Sequence, residues 1–366
     1  KYMLLAFAAE NYANVGEEGL QLVLNAVDYV ASPSAFAVPN FNMNATGATV
    51  ETVEELRAAL TYDYSALNLD EILIQVKDCL DPSGIYLLGS DGMAFPQSFN
   101  DLSVKAAPGA TPQFWGSFRS NNGMKVGTLR FEGLSWNGGD SALTGFGDEN
   151  YQPFAVLQPD SVTKAFLVTN CRFENFDYQR IFRSNACAGA LINKLVFENN
   201  YFDNMGWNRP AGSHGQSFIQ FVNSNNYQLD SLVFHNNIVK NFHGNQLFNV
   251  PRNGTTAAPD TLGNFYVGIT HNTFYKLGGQ GNSDRNFLEY NGTLGGLNGS
   301  VNISNNLFIE RWSYEKFPQG YLALPATLAD GQSLEVKVLN NFFMPDTVLT
   351  PRLGGVEPLQ VKGESV

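Results

Sequence analysis

The sequence predicts an all-β fold, a parallel β-solenoid, on three observations. First, a short signature recurs: VTNCRF at 168–173, FENNYF at 197–202, FHNNIV at 234–239, ITHNTF at 269–274, ISNNLF at 303–308 and VLNNFF at 338–343. Its last Asn falls at Asn170, Asn200, Asn237, Asn272, Asn306 and Asn341, in steps of 30, 37, 35, 34 and 35 residues. A fixed period in this range means stacked supersecondary units. Second, each unit is built of short apolar runs punctuated by turn residues, so the units are β-coils rather than helical pairs. Third, the chain is 43% hydrophobic, only 15% charged and carries 28 Phe, which suits aromatic stacks inside a continuous core.

The Asn at each step has a physical reason. A coil must turn a corner between two strands in very few residues, and Asn tolerates left-handed backbone angles. Stacked at the strand spacing of roughly 4.8 Å, such side chains can bond from coil to coil as an asparagine ladder. LRFEGLSW at 129–136 is an earlier, degenerate copy with Gly133 in the same slot.

The elements follow in order. Residues 1–49 are read as a strand-and-helix segment and a linker rich in small residues, either the end of a preceding domain or a strap. VEELRAALTY, Val53–Tyr62, predicts an amphipathic helix with Thr52 as N-cap and Glu55 three residues on. A solenoid end is an open sheet edge, so this helix is expected to cap it. Residues 50–345 form the solenoid. Its first strands are EILIQVKD (71–78), IYLLGS (85–90), LSVKAAPG (102–109) and QFWGSF (113–118). Later coils have three strands each. One precedes the Asn corner (Leu195–Asn199, Leu232–Asn236, Val301–Asn305). A short one follows it (Tyr201–Phe202, Asn306–Phe308). A third comes after a variable loop: Ile181–Ser184, Phe218–Val222, Leu247–Val250, Phe287–Tyr290 and Tyr321–Leu324. The tail, 346–366, is expected to lie across the last coil.

Composition narrows the function. A net charge of −12 argues against nucleic acid. No stretch approaches the ~18 apolar residues of a membrane span. The apolar run in KYMLLAFAAENYA is short for an export signal, and the absence of an initial Met leaves room for an upstream signal or domain. Cys79, Cys171 and Cys187 lack metal spacing and read as buried free thiols.

Strand alternation applied to the third run of each coil puts Phe182, Ile219, Phe248, Leu288 and Leu322 inside. Arg183, Gln220, Asn249 and Glu289 then face outward, one per coil, with Ala323 in the last. The positions before the inward set, Ile181, Phe218, Leu247, Phe287 and Tyr321, are expected to make an outward apolar stripe. Together the two rows resemble a sugar platform, though an ordinary solvated face has the same pattern. Arg180, Arg183, Arg209, Arg252, Arg285 and Arg311 fall in or beside these strands, with Trp207, Trp312, His214 and His243 in the same loops. Arginine reads carboxylates bidentately, so a local basic strip on an acidic protein points to an acidic glycan. Calcium is another route to a polyuronide. Asp140, Asp148, Glu149 and Asp160 lie within one coil and offer hard oxygen ligands. No other cofactor is expected.

The order VEELRAAL, EILIQV, IYLL, LSVKAAPGATPQF and then V-x-I-S-N-N-x-F, as in VNISNNLF (301–308), resembles the pectate-lyase-like right-handed parallel β-helix superfamily. It looks most like the uncharacterised β-helix proteins of bacterial polysaccharide-utilisation systems. The resemblance covers roughly 50–345. It implies a secreted or outer-cell-surface protein with a polysaccharide ligand, often pectic. The family's catalytic motifs do not carry over. FLVTNCRF (166–173) lacks the lyases' acid and His, and their Arg-x-Pro-x-x-Arg element is absent. Ser213-His214-Gly215 is similar to the polygalacturonases' His-Gly, but the strand one coil earlier reads IFRSN (181–185), without their paired aspartates. Two functions therefore remain. One is a non-catalytic carbohydrate-binding solenoid that engages an acidic, pectin-like polysaccharide through Arg183, Gln220, Asn249, Glu289, Arg209, Arg252, Arg285, Trp207 and His243. The other is a polysaccharide lyase with His214 or a loop arginine as base and Arg183 neutralising the carboxylate. A hydrolase ranks lower, since only Glu289 offers a carboxylate on that face.

Overall fold

The computed structural model describes residues 41–64, 67–88, 93–94, 98–120, 125–138, 153–156, 162–176, 180–185, 191–206, 217–222, 228–244, 246–250, 265–277, 287–290, 299–311, 322–323 and 333–344. The chain divides into two compact units, Lys1–Asn40 and Phe41–Val366, and the first lies outside the described residues.

The second unit is a parallel solenoid of three long sheets with eleven, nine and eight strands. The chain visits the sheets in turn and returns one strand further along each. Leu191–Glu198 of the first sheet is followed by Tyr201–Met205 of the second and Ser217–Val222 of the third. Gln228–His235 then pairs in parallel beside Leu191–Glu198. The one antiparallel pair among the described strands opens the first sheet, Asn42–Asn44 against Gly47–Val50. Gly47 is required there. Its φ is 147°, and a Cβ would stand 2.3 Å from the Leu73 carbonyl oxygen.

Inward side chains stack in columns. Along the second sheet the rings of Tyr86, Phe114, Trp136, Phe173 and Phe202 follow one another at centroid distances of 4.9, 5.1, 5.0 and 5.0 Å. Val239 interrupts the column, and Phe274 and Phe308 resume it at 4.9 Å.

The corner between the first and second sheets carries a run of amide hydrogen bonds. Nδ2 of Asn200, Asn237, Asn272 and Asn306 donates to Oδ1 of the next Asn at 3.0, 3.2, 2.9 and 2.9 Å. Each oxygen also takes the preceding backbone N–H, and each Nδ2 also reaches a carbonyl such as Phe197 O. Asn170 is not part of this row. It is exposed, with φ of 54°, and matches Asn199, Asn236, His271, Asn305 and Asn340, which are also left-handed. Cys171 fills the amide slot in that coil, where only its backbone N–H can donate to Asn200 Oδ1, at 2.9 Å. A second left-handed corner falls at the penultimate residue of second-sheet strands, at Asn175, Asn204, Asn241 and Lys276. Asn204 Nδ2 donates to Asn175 Oδ1 at 3.0 Å there.

The helix spans Val53–Thr61. Thr52 caps it, its hydroxyl accepting from the Glu55 N–H at 3.2 Å, while the Glu55 carboxylate accepts from the Glu51 N–H at 2.7 Å. Leu56, Ala59 and Leu60 are buried in the same cluster as Ile72 and Ile74 of the first sheet. No described helix is long and apolar enough to cross a membrane.

Candidate functional site

The third sheet aligns the predicted polar row in strict register. Arg183 pairs with Gln220, Gln220 with Asn249, Asn249 with Glu289, and Glu289 with Ala323. Arg183, Gln220 and Asn249 are half-buried. Between them and the core stand Phe182, Ile219 and Phe248, all fully buried. Alternation along each strand thus sends the apolar residue in and the polar one out. Parallel pairing repeats that choice at each coil, about 4.8 Å apart.

The expected apolar stripe beside this row is not on the surface. Ile181, Phe218, Leu247 and Phe287 are exposed by only 0, 0, 2 and 2%. They fill the corner between the second and third sheets. Phe218 meets Phe202 at 4.9 Å and Phe242 at 5.6 Å, and Phe287 meets Phe274 at 5.4 Å. Phe218 and Leu247 lie within third-sheet strands, yet each is buried together with the residue that follows it, so two consecutive side chains are enclosed there. This face therefore lacks their rings as a stacking surface for sugars.

The same row extends toward the N-terminus through a residue that sequence reasoning missed. Arg183 pairs with Ala155, Ala155 with Arg119, and Arg119 with Ala94. The signal was present: Phe118-Arg119-Ser120 and Phe182-Arg183-Ser184 are the same tripeptide. Arg119 is half-buried, and its Nε is enclosed with no hydrogen-bond acceptor. Gln220 Oε1, on the same row, is enclosed with no donor. Buried polar atoms are normally partnered, so each orphan needs an account.

Other predicted residues scatter. Arg180 is buried, just before the Phe182–Asn185 strand. His243 is half-buried at the end of the second sheet, its backbone N–H bonded to the Met205 carbonyl at 2.9 Å. Arg311 ends a second-sheet strand, in register with Leu277, rather than the third-sheet row. His214, Arg209, Arg252, Arg285, Trp207, Trp312 and the carboxylates Asp140, Asp148, Glu149 and Asp160 lie outside the described residues. No cluster of three potential metal ligands occurs among the described residues.

Charge on the second sheet is used internally. Arg172 grips Glu174 at 2.5 and 2.6 Å and lies 4.4 Å over the Tyr201 ring. Asp203 accepts from Tyr201 at 2.9 Å, Lys240 at 3.1 Å and Asn241 at 2.7 Å. Burial works to raise the Asp203 pKa, but these donors outweigh it and hold the carboxyl below its ordinary value. Enclosed polar atoms without a partner occur on the first sheet, at Arg130 Nε and Asn193 Oδ1, and on the third. On the third, Arg119 Nε and Gln220 Oε1 are left with hydrogen-bonding capacity that the described residues do not use. No protein-family model, no characterised protein and no solved structure matches this chain.

Proposed function

We propose that the chain is a secreted or cell-surface right-handed parallel β-helix that binds an acidic, pectin-like polysaccharide along its third sheet. In this reading the amide row is its asparagine ladder and the Val53–Thr61 helix its N-terminal cap. The carrying observation is the in-register row Arg183–Gln220–Asn249–Glu289. A linear polymer laid along the stack meets one polar side chain per coil, and amides and guanidinium groups bond hydroxyls and carboxylates. Charge supports the same ligand. On a protein of net charge −12, a polyanion needs a local cationic strip, and its binding weakens as salt screens it.

Isothermal titration of wild type and Arg183→Ala tests the reading, with acidic and neutral oligosaccharides at two salt concentrations. The variant should lose affinity for the acidic glycan and keep its affinity for the neutral one, because only a carboxylate uses the guanidinium fork. Equal wild-type affinity for both glycans, or an unchanged variant, removes the case for this groove.

A further inference from the structure

We infer that the groove selects an acidic glycan whose anionic groups recur on alternate sugars, with Arg119 and Arg183 as its two anion subsites. This rests on the reading of the third sheet as the glycan groove, and narrows its pectin-like ligand to one that is uncharged at every second sugar.

The register carries the inference. Reading along the row, the positions are Arg119, Ala155, Arg183, Gln220, Asn249 and Glu289. The two cations are two coils apart, about 9.6 Å along the stack. Alanine, which cannot reach or bond a carboxylate, holds the position between them. A chain of pyranoses along the stack advances by a length comparable to one strand spacing. Successive sugars therefore meet successive coils, and the arginines meet every second sugar. In a chain whose successive sugars present the same face to the sheet, a charge on the intervening sugar gains no partner at Ala155 but still loses hydration on binding.

The far end of the row gives the ligand a direction. Gln220 and Asn249 are neutral amides suited to hydroxyls, and the next register position belongs to an acidic residue, Glu289. A polymer charged on every sugar brings a further carboxylate to the coil that carries this acidic residue, where like charge costs affinity.

The test compares two oligosaccharide probes of equal length. One is an oligogalacturonate, charged on every sugar. The other alternates glucuronate with a neutral N-acetylhexosamine. Wild type should prefer the alternating probe. Arg119→Ala should weaken that binding by about tenfold or more, the scale of one charge-assisted hydrogen-bond pair. Ala155→Arg fills the gap and should shift the preference toward the uniform probe, a gain that misfolding cannot mimic. Equal or better wild-type binding of the uniform probe overturns the inference. So does an Arg119→Ala protein that binds normally while Arg183→Ala does not, an outcome that leaves the groove itself standing. If both variants bind both probes as wild type does, the groove reading falls as well.

Discussion

Asn237 Oδ1 receives two hydrogen bonds from a single neighbour, Asn200: one from its backbone N–H at 2.9 Å and one from Nδ2 at 3.0 Å. Asn237 Nδ2 in turn reaches the Phe197 carbonyl at 2.9 Å and Asn272 Oδ1 at 3.2 Å. One buried side chain thus serves the coils on both sides of it.

Asn237→Leu should therefore cost roughly 1–3 kcal/mol, because it orphans the Asn200 N–H and the Phe197 carbonyl in a buried corner. Urea unfolding should show a lower midpoint. Asn170→Gly is the matched control. Asn170 is exposed at φ 54°, which glycine adopts freely, so its midpoint should stay within about 0.5 kcal/mol of wild type. The opposite order would show that the buried amide row is not what stabilises this corner.

The period, the three-strand coil and the outward row were legible because each is a repeated pattern, and repetition averages out local ambiguity. The misreadings lie where a coil departs from its neighbours. VTNCRF has one Asn where later coils have two adjacent polar residues, and a single Asn fits either the left-handed slot or the buried slot. Only pairing shows that Asn170 takes the first and Cys171 the second. The second corner was written in Glu174-Asn175-Phe176, Asp203-Asn204-Met205 and Lys240-Asn241-Phe242, but the Asn there sits inside what reads as a strand. Ile181 and Phe218 were misplaced because alternation assigns one side chain in and the next out, whereas here both members of the pairs Ile181-Phe182 and Phe218-Ile219 are enclosed by packing. Arg119 was missed because its coil precedes the clear repeats.

Acid should weaken the second sheet through Asp203. Its folded pKa lies below the ordinary carboxylate value of 3.8, so its ion pair and hydrogen bonds stabilise the fold above that value. The contribution is lost as pH falls through the depressed folded pKa. Asp203→Asn should lower the thermal midpoint at neutral pH and flatten the acid limb of midpoint against pH. A variant whose acid limb keeps its wild-type slope would remove Asp203 from the account.

Cys171 should be silent toward thiol reagents in the native state. Burial pushes its thiol up to about 12, and that of Cys79 up to about 11. Little thiolate exists at neutral pH, and the thiolate is the reactive form. Mass spectrometry after alkylation should find both modified only in denaturant. Rapid native labelling of Cys171 would contradict its place at the head of the amide row.

Gly47→Ala should destabilise the start of the first sheet by about 1–3 kcal/mol, the scale of backbone strain at a glycine-only angle. The added methyl meets the Leu73 carbonyl oxygen. Hydrogen exchange should rise first in Gly47–Val50 and Glu71–Val76. Unchanged exchange there would mean that the backbone can give way at little cost.

The amide row also sets how the molecule responds to force. Its side-chain bonds join residues 37, 35, 34 and 35 apart, and none skips a coil. At the C-terminal side, Leu334, Val336 and Val338 are only partly buried, whereas Val301 and Ile303 one coil earlier are buried. Pulled from that side, the stack should peel rather than shear. It should release one coil at a time in a sawtooth, each tooth lengthening the chain by about 120 Å. A polymer bound across several coils, as proposed for the third sheet, would tie neighbouring teeth together and act as a mechanical clamp.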